Sequence, residues 1–188
     1  MRHTLRASLA LLAAAVAVAV APARSAAEGP IAGLDVMTAT VFQEGQSSFS
    51  GLGLRLSLRS PRLVPNVEFL PTVEYWRNNS KVKVQSMELR ASRRDASLGC
   101  DARWVFSHAA WRPYVGAGFA LHFLDSEADA PALGIRHAHD SLVKGGVAAL
   151  VGVNFVGAGR LGNFLEVKFH EVPGYRQVKL NMGLTWGF

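Results

Sequence analysis

The chain has 188 residues and a formal charge of +6, with 49% hydrophobic residues, only 18% charged residues and 18 glycines. That length holds one domain plus a targeting segment, and the single cysteine, Cys100, excludes an intramolecular disulfide or a zinc site built on cysteine pairs. Basic residues alternate with acids and apolar positions and form no patch, which argues against a nucleic-acid partner.

Residues 1–6 form a basic n-region, 8–21 a short apolar run, and "APARSAAEG" supplies small residues for cleavage. Residues 1–27 therefore read as a secretory signal peptide, cut after Ala27 or after Ala23, and 28–188 as the mature domain. The run is shorter than the ~20 residues of a membrane-spanning helix, and the absence of a cysteine at its end excludes a lipoprotein signal. Loss of Arg2, Arg6 and Arg24 with no acid leaves a mature charge of +3. No later apolar run is long enough for a spanning helix, so the chain is either exported and soluble or crosses a membrane as strands.

Alternation with a period of two dominates the rest of the chain. The first strand falls at 31–43, with Leu34, Val36 and Phe42 on its apolar face. The second, 51–59, sets Leu52, Leu54, Leu56 and Leu58 against Gly53, Arg55, Ser57 and Arg59. The third, 65–77, opposes Val67, Phe69, Val73 and Tyr75 to Glu68, Thr72 and Glu74, and Pro71 predicts a bulge. The fourth alternates Leu98, Cys100, Ala102, Trp104 and Phe106 with Gly99, Asp101, Arg103 and Val105. The fifth carries Val115, Ala117, Phe119, Leu121 and Phe123, the sixth Val147 to Phe155, the seventh Leu165, Val167 and Phe169, and the eighth Val178 to Phe188. Strands of about ten to fourteen residues match the roughly 9–11 that a tilted strand needs to span a bilayer, rather than the ~5–6 of soluble sheets. Segment 78–95 reads as an outer loop, with room for strand extensions above the membrane. The strand number is then even, with both termini in the periplasm. Segments 60–65, 107–112 and 157–163 become periplasmic turns, and 44–48, 78–95, 125–140 and 172–174 face outward.

The two faces decide the class. An eight-stranded barrel has an interior barely wide enough for side chains. Leucine, phenylalanine and tryptophan on every strand would overfill it, whereas glycine, alanine, serine and a few paired charges would fit. The bulky face therefore meets lipid, and the expected fold is all-β: an eight-stranded antiparallel up-and-down transmembrane β-barrel. Its lumen would hold a polar network of Arg55, Arg59, Glu68, Glu74, Asp101, Arg103, His122, Glu166, Lys168, His170 and Lys179. Both signs are present, so paired charges would plug the lumen. Trp104, Phe106, Phe155, Trp186 and Phe188 mark a periplasmic girdle, and Phe42, Tyr75, Trp76, Phe123 and Phe169 an outer one, Trp76 being out of phase and inward. Cys100 is a small apolar residue.

The ending "LNMGLTWGF", with Leu180, Met182, Gly183, Leu184, Trp186 and the terminal Phe188, resembles the assembly signal of outer-membrane β-barrel proteins. "WRPYVGAGFALHF" (111–123) is similar to the fifth strand of small OmpA-like and OmpX-like barrels. The resemblance spans about 28–188 and implies an outer-membrane location in a Gram-negative envelope. It also implies contact with outer-membrane lipid and lipopolysaccharide, and handling by the barrel-assembly machinery during insertion. A monomer is expected, with no cofactor and no peptidoglycan-binding domain after the barrel.

Lipid A deacylases are barrels with a lipid-facing His, Ser and acid at the outer rim. His170 and Glu171 fall near that rim, but Val172 stands where that family's serine should be, and His170 is in phase with the lumen. Asp125, Glu127, Asp129, His137, His139 and Asp140 have the chemistry of a divalent-cation site, and equally that of an ordinary hydrophilic outer loop; no metal is expected. Neither Gly-Ala-Gly stretch has dinucleotide-loop spacing. The leading expectation is a non-enzymatic barrel with a structural or surface-interaction role and a non-conducting lumen. A lipid-modifying barrel and a soluble lipocalin-like binding protein are the alternatives.

Overall fold

The structure, a computed structural model, describes residues 30–44, 46–59, 66–84, 87–107, 109–130, 135–157 and 159–188, with side chains inside 80–90 and 128–138 excepted. The expected signal segment, residues 1–27, lies outside the described residues.

Eight strands follow one another: β1 Ile31–Gln43, β2 Phe49–Arg59, β3 Val67–Val84, β4 Met87–Val105, β5 Trp111–Ala130, β6 Ile135–Val156, β7 Leu161–Val172 and β8 Tyr175–Gly187. Each pairs antiparallel with its sequence neighbours, and β8 returns to β1 to close the barrel. Closure leaves no edge in the spanning part, the condition for crossing hydrocarbon with strands. The described residues contain no helix.

Strand lengths divide the molecule. β1, β2, β7 and β8 have 11 to 13 residues, the length of one tilted crossing. β3, β4, β5 and β6 have 18 to 22. All the excess lies at the end away from the termini, where β3 to β6 continue as a four-stranded sheet beyond the barrel. The expected loop at 78–95 is therefore strand throughout, Gln85 and Ser86 lying outside the described residues. Most of 125–140 is strand as well, with 131–134 outside the described residues. The apolar ladder lapses there because water lies on both faces. Backbone pairing carries the strands on without it, as in Arg77–Arg94 and Asp125–Ser141.

Pro71 makes no bulge. It keeps its place opposite Cys100, and the β2–β3 pairing skips two rungs and resumes at Leu58–Phe69 in unchanged register. Proline removes a donor from one ladder without inserting a residue.

The faces separate cleanly. Leu52, Phe119, Val147, Leu165 and Leu184 point out of the barrel and are 43 to 64% exposed. Arg55, Arg103, His122, Lys179 and Glu166 point in and are at most 2% exposed. Water is the wrong solvent for that outer surface, since a soluble protein does not expose a continuous apolar belt around charged contents. Exposed Trp104, Trp186 and Phe188 fringe the belt at the terminal end, and Phe42, Tyr75, Phe123 and Phe169 at the other.

Candidate functional site

Inside the barrel, ionisable side chains are stacked in tiers from the end that carries the chain termini. In the lowest tier, Glu68 of β3 accepts from Arg103 of β4, whose Nε lies at 2.8 Å, and from Arg59 of β2. Arg59 is 41% exposed at the mouth, while Glu68 is buried. The Arg103 guanidinium also stands 4.6 Å over the Tyr114 ring.

The next tier centres on Glu166 of β7. Arg55 Nη1 donates to it at 2.8 Å, Tyr114 Oη at 3.0 Å and Asn181 Nδ2 at 2.9 Å. Arg55 Nε meanwhile donates to Asp35 of β1 at 2.7 Å. One carboxylate thus ties β2, β5, β7 and β8 together. Tyr114 can reach it because Gly152 of β6 carries no side chain: a Cβ there would meet the phenol oxygen at 2.5 Å. Val105, Tyr114 and Leu150 form an apolar layer beside this tier. The lumen therefore takes more large side chains than the size rule allows, each in the space a small residue on a neighbouring strand leaves free.

Above lies a bridge of four charges. Lys168 reaches Asp101 at 2.7 Å and Glu74 at 3.8 Å, and Lys179 closes on Glu74 from β8. Higher still, Asp95 contacts His122 Nδ1 at 2.7 Å, and the two imidazoles of His122 and His170 meet through their Nε2 atoms at 3.3 Å. Gln177 donates to Gln43 at 3.1 Å. An apolar lid of Ala39, Val41, Phe49 and Trp76 completes the stack, Trp76 pointing inward at 2% exposure.

All eleven lumen residues expected from the sequence face the interior, ten of them buried and Arg59 at the rim. Asp35, Asp95, Tyr114 and Asn181 belong to the same network and add to that expectation. Asp35 and Tyr114 sit in phase with Met37 and with His122, so alternation alone is enough to find them. Asp95 stays hidden as long as 78–95 reads as a loop. Six buried carboxylates, Asp35, Glu68, Glu74, Asp95, Asp101 and Glu166, face five Arg and Lys side chains, with the two histidines beside Asp95. Buried charges are tolerated where partners and hydrogen bonds surround them.

At the C-terminus, Met182, Leu184, Trp186 and Phe188 lie exposed on the outer face of β8, with Leu180 half-buried and Gly183 inward. β8 joins β7 to β1, and the Phe188 amide donates to Ala32 at 3.2 Å. Cys100 is half-buried on the wall.

In the projecting sheet, His139 Nδ1 lies 3.0 Å from Asp125, and Arg94 lies 3.7 Å from Glu127. The side chains of Asp129 and His137 are outside the described residues. No group of three or more His, Cys, Asp or Glu side chains poised for a metal occurs among the described residues. His170 stands inside the barrel against His122, and Val172 is 1% exposed.

No protein-family model matches the chain, and no curated protein sequence matches it. Solved structures do. Neisserial surface protein A is 18% identical, with a TM-score of 0.55 over 84% of this chain and 96% of its own. The attachment invasion locus protein Ail of Yersinia pestis is 8% identical, with a TM-score of 0.57 over 86% of this chain and all of its own. Ail has also been solved in complex with the heparin analogue sucrose octasulfate. A major outer membrane protein from Thermus thermophilus is 13% identical, with a TM-score of 0.57 over 84% of this chain and 99% of its own. At these identities the similarity is one of fold: this chain has the architecture of small outer-membrane barrels.

Proposed function

We propose that the chain is a monomeric, integral outer-membrane β-barrel with a structural or surface-interaction role and no catalytic task, whose lumen is closed to ions. The observation that carries this reading is the pairing of a continuous apolar exterior with an interior spanned by ion pairs. Arg55 to Glu166 at 2.8 Å and Lys168 to Asp101 at 2.7 Å cross the lumen between strands that are not neighbours, as does the pair of Lys179 with Glu74. An ion entering this lumen would have to part charges that have no water to replace their partners. What the protein offers its surroundings is then the sheet formed by the outer halves of β3 to β6. The last residues of β8, with terminal Phe188, serve on this reading as the signal for the barrel-assembly machinery.

A lipid-modifying enzyme fits less well. It needs its histidine and nucleophile on the lipid face, whereas His170 is 2% exposed inside and Val172 carries no hydroxyl. The test is twofold. Purified protein should change gel mobility on heating, fractionate with the outer membrane, and give no steady single-channel current. A large steady current overturns the closed lumen, recovery from the periplasm overturns the membrane assignment, and release of acyl chains from lipopolysaccharide overturns the non-enzymatic role.

A further inference from the structure

The barrel wall has a notch at the outer rim. The β6–β7 ladder stops at Val147–Glu171, yet β6 runs on to Ile135 while β7 turns back at Pro173 and Gly174. Gly174 makes that turn with φ of 94°. Above Val147, one edge of β6 therefore has no strand beside it. At this place Gly145 faces outward with no atom within 4 Å of where a Cβ would stand, and it pairs with Leu121 across the strand. The result is a groove of about 730 Å³ with a glycine floor. Phe119, Leu121 and Val147 line its apolar side, and the β7–β8 hairpin forms the other.

Depth identifies the surroundings. Two rungs above Gly145, past His122–Lys144, the next outward-facing pair is Phe123–Val143, both exposed and level with the outer aromatic girdle, so the groove opens just beneath the outer membrane–water interface. In hydrocarbon an unpaired strand edge is costly, but at the headgroup boundary it meets polar groups able to pair with it. Charge at the lip points the same way. Arg176 spends its charge on Glu171 at 3.0 Å, and Glu44 is among the lining residues. The Lys144 ammonium lies at 2.7 Å from the Pro173 carbonyl and 5.8 Å from the Tyr175 ring centre, and it forms no ion pair among the described residues. An ammonium has three protons to donate, so it can hold an anionic oxygen while keeping the carbonyl.

We propose that this groove is a binding site for lipopolysaccharide: one acyl chain lies along Phe119, Leu121 and Val147 over Gly145, and Lys144 takes a phosphate of the same molecule. The proposal rests on the reading of the chain as an outer-membrane protein, but it is tested on purified barrel and can fail separately. Folded full-length protein in detergent micelles is incubated with lipopolysaccharide or with phosphatidylglycerol, and bound lipid is counted by native mass spectrometry. Wild type retains lipopolysaccharide. Gly145→Phe fills the groove and lowers the apparent affinity about tenfold, the scale of two buried methylenes. Lys144→Ala weakens binding of intact lipopolysaccharide and leaves that of dephosphorylated lipopolysaccharide unchanged. Heat-dependent gel migration checks that each variant folds, and Gly145→Val replaces the phenylalanine variant if it does not. Equal retention by wild type and a folded Gly145 variant overturns the site. Phosphatidylglycerol held as tightly, with the same sensitivity to Gly145→Phe, overturns the assignment to lipopolysaccharide.

Discussion

The barrel and the sheet that rises from it are made of the same strands and are held by different forces. In β4, Asp101 and Arg103 point into the barrel at 1 and 2% exposure, each on a buried partner of opposite charge. A few rungs higher on the same strand, Arg94 meets Glu127 at 3.7 Å in water, at 27 and 38% exposure. An ion pair without solvent cannot lose one member cheaply, because the survivor is left uncompensated. An ion pair in water can, because solvent replaces the partner. Identical residue types should therefore matter greatly in the lower half of a strand and little in the upper half.

The largest effect is expected at Glu166, which accepts from Arg55, Tyr114 and Asn181 at once. Glu166→Ala should destabilise the folded barrel by roughly 3–5 kcal/mol, measured by urea unfolding in vesicles followed by tryptophan fluorescence. Replacing Asp35, Arg55 and Glu166 together by Asn, Met and Leu should recover most of that loss, since Arg55 also holds buried Asp35 and only the triple change leaves no orphaned charge. A triple variant as unstable as Glu166→Ala would mean that the lumen depends on these groups for more than mutual neutralisation.

The wall should respond next. Leu165 lies midway along β7 on the outer face, 43% exposed. Leu165→Arg should cost about 2–4 kcal/mol, the range for arginine on the lipid face near the bilayer midplane. Asn79→Arg, on the outer face of β3 above the girdle, should stay within about 0.5 kcal/mol. Equal effects at the two positions would erase the boundary between the wall and the sheet.

The same boundary separates what alternation made legible from what it hid. Below the girdle, lipid outside and packed charges inside impose opposite demands on successive residues, so β2 reads as leucine against Gly53, Arg55 and Ser57 without further information. Nearly the whole lumen network was legible on that footing, and Asp35 and Tyr114 needed only the same phase carried through. Above the girdle neither face excludes polar residues, the period fades, and β3 and β4 continue on hydrogen bonds that leave no trace in side-chain type. Asp95 fell on the wrong side of that divide. Which lysine meets which acid was not legible at all, because the partners of Glu74, Lys168 and Lys179, come from β7 and β8, far along the chain.

A deletion sharpens the comparison. The outer ends of β3 and β4 pair with each other up to Val84–Met87, and on the β2 side β3 has no ladder beyond Gly51–Trp76. Replacing 80–91 by a tight turn removes strand that the barrel does not use for closure. The unfolding midpoint and the heat-dependent gel shift should be unchanged within error. Failure to fold would mean that the projecting hairpin takes part in forming the barrel, for instance as an early nucleus for β3–β4 pairing.

A small effect is also expected at Arg94, in the projecting sheet. Arg94→Ala removes the pair with Glu127 and should change stability by less than about 1 kcal/mol, with most of that lost again on raising salt. Charge reversal on both sides, Arg94→Glu with Glu127→Arg, should restore whatever Arg94→Ala removes. The informative control is the same swap in the lumen, Arg103→Glu with Glu68→Arg. There the Arg103 guanidinium also lies against the Tyr114 ring and Glu68 also serves Arg59, so exchanging the two charges satisfies the pair and breaks its other contacts. A swap tolerated above and not below would locate the difference in the surroundings of the pair rather than in the pair itself.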